Sequence, residues 1–312
     1  MTSKDESSSL FSWSSSFLEN YTKYRPTYKK ALYDLIYDYH RRNHGSWDKA
    51  HDAGTGNGTV ALELSNRFEA VLASDPVVDA ISALRQYYSG HANGERLRFE
   101  AYQAETMAEW IAPASLDMVT VAEAIHWTNP TEVINGAAKV LKPGGTLAIW
   151  VYGARAFFVD KPEAGEILMK IIGAHLVKHV GAHGKQAVAS NARSYLSSGL
   201  DVLSVDETMF EHETRWKWCS HHDYSPPGRQ IAEWTPAFGQ NVVLHEIDDP
   251  TMWQMDVDSD WCRGFAASLV SNNDTLYSDH ADEWDNVRQI LDGQKTRISF
   301  PATLILATRR SR

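Results

Sequence analysis

The sequence has few cysteines and no long apolar run. Only Cys219 and Cys262 occur among 312 residues, and they do not form a C-x-x-C pair. A disulfide framework or a thiolate zinc site needs clustered cysteines, so neither is expected. The expected location is the reducing cytoplasm. No apolar stretch approaches the roughly 20 residues needed to cross a bilayer, so no membrane partner is expected.

Positive charge is also scarce. The chain has 40 acidic and 30 basic residues, which gives a formal net charge of −10. This net charge argues against nucleic-acid binding through a basic surface. The first nine residues are polar and resemble no secretory signal peptide. The partner expected is therefore a small molecule, and composition leaves the oligomeric state open.

A glycine-rich turn is the most informative stretch. It reads Asp52-Ala53-Gly54-Thr55-Gly56-Asn57-Gly58 and lies between a short strand candidate and a helix predicted from about residue 59 to 68. Glycine tolerates positive φ and lets the backbone approach a ligand, because it has no Cβ. The spacing differs from the G-x-G-x-x-G of a dinucleotide site, so a nicotinamide-dependent enzyme is the disfavoured alternative.

Two acids near this turn indicate which ligand it binds. Asp52 directly precedes the glycines, where it would repel a pyrophosphate but suits an ammonium group. Asp75 follows the next apolar run, about 20 residues further on, where an acid can bind a ribose diol. A ligand with a ribose, a cationic end and no phosphate is S-adenosylmethionine, and we predict this cofactor.

Strand and helix candidates alternate along the first half of the chain. Apolar strand runs at residues 70–73, 116–122 and 146–152 are separated by stretches with helical periodicity. This predicts an α/β fold with a doubly wound, mostly parallel, Rossmann-like sheet of seven strands, with ligands at the carboxyl ends of the strands. The residues predicted at these ends are Asp52, Asp75, Gln103 and Glu123.

The alternation is lost after residue 152, and this divides the chain into four parts. We expect a mobile tail over residues 1–20 and a cofactor-binding core with an N-terminal lid over 21–152. An inserted cap that covers the substrate is expected over 153–240, and the end of the core sheet over 241–312.

The motifs, in this order, resemble those of class I S-adenosylmethionine-dependent methyltransferases. They are the glycine turn, Asp75, Gln103-Ala104-Glu105 and Leu141-Lys142-Pro143-Gly144-Gly145-Thr146-Leu147. Three stretches are similar to the fungal trans-aconitate methyltransferase group. They are Tyr24-Arg25-Pro26-Thr27-Tyr28, Ala122-Glu123-Ala124-Ile125-His126-Trp127 and Gly145-Thr146-Leu147-Ala148-Ile149-Trp150-Val151-Tyr152.

The resemblance implies a role for each matching position. The glycine turn and Asp52 would hold the methionine end, Asp75 the ribose, and Gln103 with Ala104 the adenine. Ala122 would lie beneath the sulfonium, and Arg25 would meet the methionine carboxylate. The cofactor-binding set is Tyr21, Arg25, Asp52, Gly54, Thr55, Gly56, Gly58, Asp75, Pro76, Gln103, Ala104 and Ala122, and the substrate-binding set is Trp127, Tyr152 and Arg229.

The implied reaction is methyl transfer to a small organic acceptor, and the narrower resemblance favours a carboxylate. His126 follows the strand end where the methyl group would lie, so it is the catalytic candidate. It would bind the acceptor or take its proton, or it fixes the loop by a hydrogen bond. The alternatives are O- or N-methylation of a fungal-type secondary metabolite with His126 as base, and a protein that binds S-adenosylmethionine without transferring methyl.

Three further patterns keep two interpretations each. The aromatic and basic segment 21–28 is a lid over the cofactor or a packing arm. Residues 215–218 alternate charged and aromatic side chains, as in a pocket wall or a half-buried strand. Three histidines recur every four residues, but glycines among them should end the helix, so no metal site is expected. These histidines are His175, His179 and His183.

Overall fold

A computed structural model of the protein describes residues 15–180, 186–225, 233–269 and 275–311. Within these ranges the α-helices are α1 (Ser15–Tyr24), α2 (Lys30–Arg42), α3 (Thr59–Leu64), α4 (Val78–Tyr88), α5 (Met107–Trp110), α6 (Pro130–Val140), α7 (Pro162–Val180), α8 (Gln186–Ser197), α9 (Ser259–Ala267) and α10 (Ala281–Leu291). The strands are β1 (Lys49–Ala53), β2 (Ala70–Ser74), β3 (Leu97–Glu100), β4 (Leu116–Ala122), β5 (Leu141–Tyr152), β6 (Phe157–Phe158), β7 (Phe210–Trp218), β8 (Val243–Ile247), β9 (Met255–Val257), β10 (Thr296–Ser299) and β11 (Ala302–Arg309).

The main sheet has the strand order β3-β2-β1-β4-β5-β11-β7-β8. Strands β1 to β5 are mutually parallel, and β11 runs antiparallel between β5 and β7. Six of the seven residues of β4 are buried, because helices cover both faces of the sheet. This architecture confirms the predicted Rossmann-like fold, with eight strands instead of the predicted seven.

The hydrophobic core lies on both faces of this sheet. Neighbouring residues of β5 alternate between the two sides: Trp150 belongs to one apolar cluster, and Ile149 to the other. A second sheet, in the order β6-β10-β9, contacts α7 through β6, and α7 in turn packs against α10. The core therefore extends from the first half of the chain into its last quarter.

Part of the range predicted as an inserted cap, residues 153–240, belongs to the main sheet. Strand β7 lies inside this range and pairs with β11 along the main sheet, from Phe210↔Arg309 to Trp218↔Ala302. The local pattern does not decide between a pocket wall and a half-buried strand, because the buried face of β7 carries charges. Arg215 is bound by Glu213 at 2.7 Å, and Lys217 by Asp201 at 2.7 Å. Buried polar groups are tolerated when they are paired in this way.

The same contacts decide between the two interpretations of residues 215–218. Arg215 also donates to the carbonyls of Leu200 and Leu203, at 3.0 and 2.7 Å. Arg215 and Lys217 are thus held in the protein interior, and the segment is a half-buried strand.

The predicted mobile tail over residues 1–20 also needs correction. Helix α1 begins at Ser15 and packs against α9. Asn20 donates to the carbonyl of Gly264 at 3.2 Å, and a Cβ on Gly264 would lie 2.3 Å from the ring of Tyr24. The close approach needs glycine at that position, so the second half of α1 is part of the packed structure.

Candidate cofactor and acceptor site

The predicted site residues meet at one edge of the sheet. Because β1 to β5 run in parallel, their carboxyl ends lie side by side. The predicted residues at or directly after these ends are Asp52, Gly54, Asp75, Pro76, Gln103, Ala104, Ala122 and Tyr152.

The glycine turn has the backbone geometry that its sequence predicts. Gly54, Gly56 and Gly58 all have positive φ, at 73, 54 and 78°. The N–H groups of Gly54 and Thr55 both donate to the carbonyl of Ser74 at 2.8 Å, which ties the turn to the end of β2. A Cβ on Gly54 would lie 2.5 Å from Cβ of Ala124, so a side chain there would push the turn away from the loop after β4.

Asp75 joins the turn to the helix that follows β2. Its carboxylate accepts hydrogen bonds from the N–H of Gly56 at 3.2 Å and of Val77 at 3.0 Å. Burial raises the pKa of Asp75, and the two backbone hydrogen bonds oppose this rise. Asp75 therefore fixes the loop geometry, and its position beside the turn agrees with the predicted ribose contact.

Both carboxylate oxygens of Asp52 are engaged by protein hydroxyls, so Asp52 does not suit the predicted ammonium contact. Its two carboxylate oxygens accept from the hydroxyls of Thr55 at 2.6 Å and Thr120 at 2.8 Å, and the residue is 1% exposed. Burial raises its pKa to about 6, although these hydrogen bonds lower it. Asp52 is thus a brace between β1, β4 and the turn.

The predicted adenine neighbours lie beyond β3. Gln103 is exposed and directly precedes a short 3₁₀ turn over Ala104–Thr106. Ala104 is buried. Pro76 is exposed next to Asp75.

The end of β4 carries a partly buried acid. Glu123 follows Ala122, has φ of 52°, and accepts a hydrogen bond from the N–H of Tyr152 through its carboxylate. Burial raises the pKa of Glu123 to about 8, and the nearby Arg25 opposes this rise. The sequence pattern placed Glu123 at a strand end but gave it no role.

Arg25 brings the N-terminal arm to the same place. Its guanidinium donates to the hydroxyl of Tyr152 at 3.3 Å and to the carbonyl of Ser268 at 3.0 Å, and it lies 4.7 Å from the ring centre of Tyr21. Among the described residues, Nε of Arg25 is buried and has no hydrogen-bond partner. The arm also reaches the glycine turn, where Asn57 donates to the hydroxyl of Thr22 at 3.4 Å.

His126 is buried and neutral. Burial, together with the positive charge of Arg25, lowers its pKa to about 3, far below the 6.5 expected from the sequence. In the part of the chain that the structure describes, Nδ1 of His126 is buried without a partner. The neighbouring Trp127 is 40% exposed, so it lies at the rim of the site.

Aromatic rings extend the site from Tyr152 toward the end of the chain. The ring of Trp253 lies 6.1 Å from that of Tyr152 and 6.0 Å from that of Tyr28, and Tyr28 lies 5.4 Å from Trp150. The sequence pattern missed Trp253 and Ser268, because no local motif marks a residue that joins a site from over 100 positions away.

Two predicted elements cannot be placed. Arg229 lies outside the described residues, and so does His183. His175 is buried in α7. Across residues 15–180, 186–225, 233–269 and 275–311, no three metal-capable side chains come together. In the same ranges, no helix is long and apolar enough to cross a membrane.

The assembled groups fit S-adenosylmethionine. The glycine turn lets the backbone approach a ligand, Asp75 stands beside it, and Arg25 offers a buried, unused donor of the kind a carboxylate accepts. A cationic methionine end next to buried acids is also electrostatically sound.

Comparison with known proteins agrees with this fit. Residues 51–149 match the family described as a methyltransferase domain. Methyltransferase cfoB of Aspergillus candidus is 29% identical over 329 residues, covering 99% of this chain and 100% of that protein. Methyltransferase pgmE of Aspergillus terreus is 28% identical over 316 residues, covering 94% of this chain and 93% of that protein.

One solved structure supports the fold alone. It comes from Anaeromyxobacter dehalogenans, is proposed to be a type II methyltransferase, and is 16% identical, with a TM-score of 0.56 over 92% of this chain and 99% of its own. Together with the geometry above, these findings show an S-adenosylmethionine-dependent methyltransferase, with its methyltransferase domain over residues 51–149.

Proposed function

We propose that the enzyme transfers a methyl group to a carboxylate oxygen of a small organic acceptor and forms a methyl ester. The observation that carries this proposal is the buried, neutral His126 beside the Arg25 guanidinium. A base with a pKa of about 3 is too weak to deprotonate a hydroxyl group efficiently. A carboxylate needs no base, because it is already ionised at neutral pH.

The proposed binding roles follow the strand ends. Asp75 binds the ribose hydroxyls, Gln103 and Ala104 border the adenine, and Ala122 lies beneath the sulfonium. The Nε donor of Arg25 meets the methionine carboxylate, which would give this buried group a partner. Tyr21, Thr55, Gly58 and Pro76 complete the cofactor contacts by their positions around the turn.

The acceptor is held on the other side of Arg25. His126 donates or accepts a hydrogen bond as a neutral imidazole, and Trp127 and Tyr152 provide an aromatic wall. Arg229 is proposed as a further carboxylate contact. An acid similar to trans-aconitate is the acceptor favoured by the resemblance at residues 122–127.

The cofactor supplies the methyl group as an electrophilic sulfonium. The protein contributes alignment of the acceptor with that group and exclusion of water. The arm over residues 21–28 is suited to this second task, because Arg25 joins it to Ser268 and Tyr152 across the site. We therefore assign the arm as a lid.

A hydroxyl or amine acceptor is the second candidate. It is favoured by one observation, the buried Nδ1 of His126 without a hydrogen-bond partner among the described residues. A hydroxyl group of the acceptor could occupy that position, with His126 as its base.

A cytoplasmic location is proposed as well, since Cys219 and Cys262 are buried, unpaired thiols.

The product distinguishes the two candidates. Enzyme is incubated with cofactor labelled in its methyl group and with matched acids, phenols and amines, and the product is then treated with mild alkali. A methyl ester releases labelled methanol and regenerates the acid, whereas an ether or a methylamine does not. Turnover with acids and alkali-labile label supports ester formation. Turnover only with phenols or amines, and alkali-stable label, overturns it.

A further inference from the structure

Glu123 has an unusual backbone conformation. Its φ of 52° lies in the left-handed region, which is unfavourable for a residue with a long side chain. Contacts at both ends hold it there: its N–H donates to the carbonyl of Trp150 at 2.9 Å, and its carboxylate accepts from the N–H of Tyr152. Strained residues that the surrounding structure enforces are concentrated at functional sites. The turn directs an acid to the carboxyl end of β4.

The surroundings of Glu123 are suited to one half of a zwitterion. The Arg25 guanidinium lies nearby, but it donates its hydrogen bonds to Tyr152 and Ser268 and not to Glu123. An α-amino acid carries its carboxylate and its ammonium close together. Its recognition therefore needs a cation and an anion that lie near each other in the protein but are not hydrogen-bonded to each other. Arg25 and Glu123 form such a pair.

The acid predicted for the ammonium, Asp52, does not fit this role. Both of its oxygens accept hydrogen bonds from the hydroxyls of Thr55 and Thr120, and it is almost completely buried. Glu123 is the alternative acid at the same edge of the sheet, one strand away from the glycine turn.

We propose that Glu123 binds the α-ammonium group of the cofactor's methionine end, and that it gives up its proton to solvent when the cofactor binds. The inference rests on the cofactor placement proposed above and is independent of the acceptor.

The expected proton release follows from the raised pKa of Glu123 in the free enzyme. Burial raises the pKa of Glu123 to about 8, so the carboxyl is protonated at pH 6.5. A ligand cation beside it favours the ionised form and lowers that pKa, so binding releases a proton. The titratable groups that face Glu123 are Arg25, Tyr21 and Tyr28 from the arm and Tyr152 from β5. The pKa of each of the three tyrosines is raised, so none of them titrates at pH 6.5.

Titration calorimetry tests the proposal without turnover. The full-length enzyme is titrated at pH 6.5 in phosphate and in Bis-Tris, whose ionisation enthalpies differ, and the difference in binding heat gives the number of protons released. At this pH the ligand's own amine, with a pKa of about 7.7–8.0, stays protonated. We expect about one proton to be released. The affinity should also rise about tenfold per pH unit between pH 6 and 7.

S-adenosylhomocysteine identifies which cation is sensed, because it keeps the ammonium and lacks the sulfonium. Release of about one proton with both ligands supports the assignment. Release with S-adenosylmethionine alone would assign Glu123 to the sulfonium and overturn the ammonium contact. Binding of both ligands without proton release overturns the proposal, while cofactor use itself would stand.

Variants test whether the released proton comes from Glu123. Glu123→Gln should abolish the release and weaken binding at pH 7.5 by about 10-fold or more. Glu123→Asp should keep the release, because it keeps a carboxyl group. Glu109→Gln removes an exposed acid on α5 and is the matched control, expected to behave as wild type. A folded Glu123→Gln that still releases a proton would refute the assignment.

Discussion

Replacement of Asp75 should damage both folding and cofactor binding. The sequence alone predicted a ribose contact, but the carboxylate also accepts hydrogen bonds from the N–H groups of Gly56 and Val77. A hydrogen bond to a charged group contributes about 1.5 kcal/mol at the lower end of its range. Asp75→Ala should therefore lower the free energy of unfolding by about 3 kcal/mol and Tm by roughly 6 °C.

The same substitution should weaken S-adenosylmethionine binding by about 30-fold, equivalent to about 2 kcal/mol for the lost ribose hydrogen bonds. Calorimetry measures the affinity, and a thermal scan without ligand measures Tm. Asp79→Ala removes an exposed acid four residues away and is the matched control. An unchanged Kd in a folded variant would refute the ribose role. An unchanged Tm would show that the two backbone hydrogen bonds do not stabilise the loop.

Four further outcomes are expected. Gly56→Val should abolish cofactor binding and leave a cooperative thermal transition, because a β-branched residue is strained at φ of 54°; normal turnover would contradict this. Amide exchange over residues 21–28 should slow when cofactor is added, and equal exchange would leave this segment as a packing arm. The wild-type rate should show no titration of His126 near pH 6.5, since the pKa of His126 is about 3, and His126→Asn should raise KM. A wild-type kcat/KM that rises tenfold per pH unit below pH 6, with the rise absent in His126→Asn, would refute a carboxylate acceptor. Because the folded-state pKa of Glu123 is raised to about 8, the Tm of unliganded wild type should fall as pH rises from about 5 to 8, and the Tm of Glu123→Gln should fall less. Parallel curves of Tm against pH would show that Glu123 is not responsible.

The aromatic residues around Tyr152 show why local sequence patterns predict only some of the residues of the site. Tyr152 is predicted through the resemblance of residues 145–152 to the trans-aconitate methyltransferase group. Trp253 contacts it from a distant part of the chain, and Ser268 reaches Arg25 in the same way. Neither position has a periodic or spaced pattern around it, so only packing reveals the contact.

The charged strand β7 shows a second limit. Alternation of polar and apolar residues predicts a strand with one solvated face. Here the charged face is buried, since Glu213 and Asp201 neutralise Arg215 and Lys217. Asp201 lies outside the strand, 16 residues before Lys217, so this pairing is a tertiary property that the local pattern does not predict. The pattern therefore leaves a pocket wall and a half-buried strand open.

The sequence by itself determined the elements whose signals are local. Apolar runs separated by helical periodicity specify the parallel sheet, and the glycine turn followed by Asp75 specifies the cofactor, because backbone freedom and strand-end position depend on neighbouring residues. The tertiary structure alone decided which acids are available and which groups are charged. Asp52 is hydrogen-bonded to two hydroxyls, Glu123 is partly buried near Arg25, and His126 is neutral. Desolvation and contacts between distant residues control these pKa values, and no local sequence pattern encodes them.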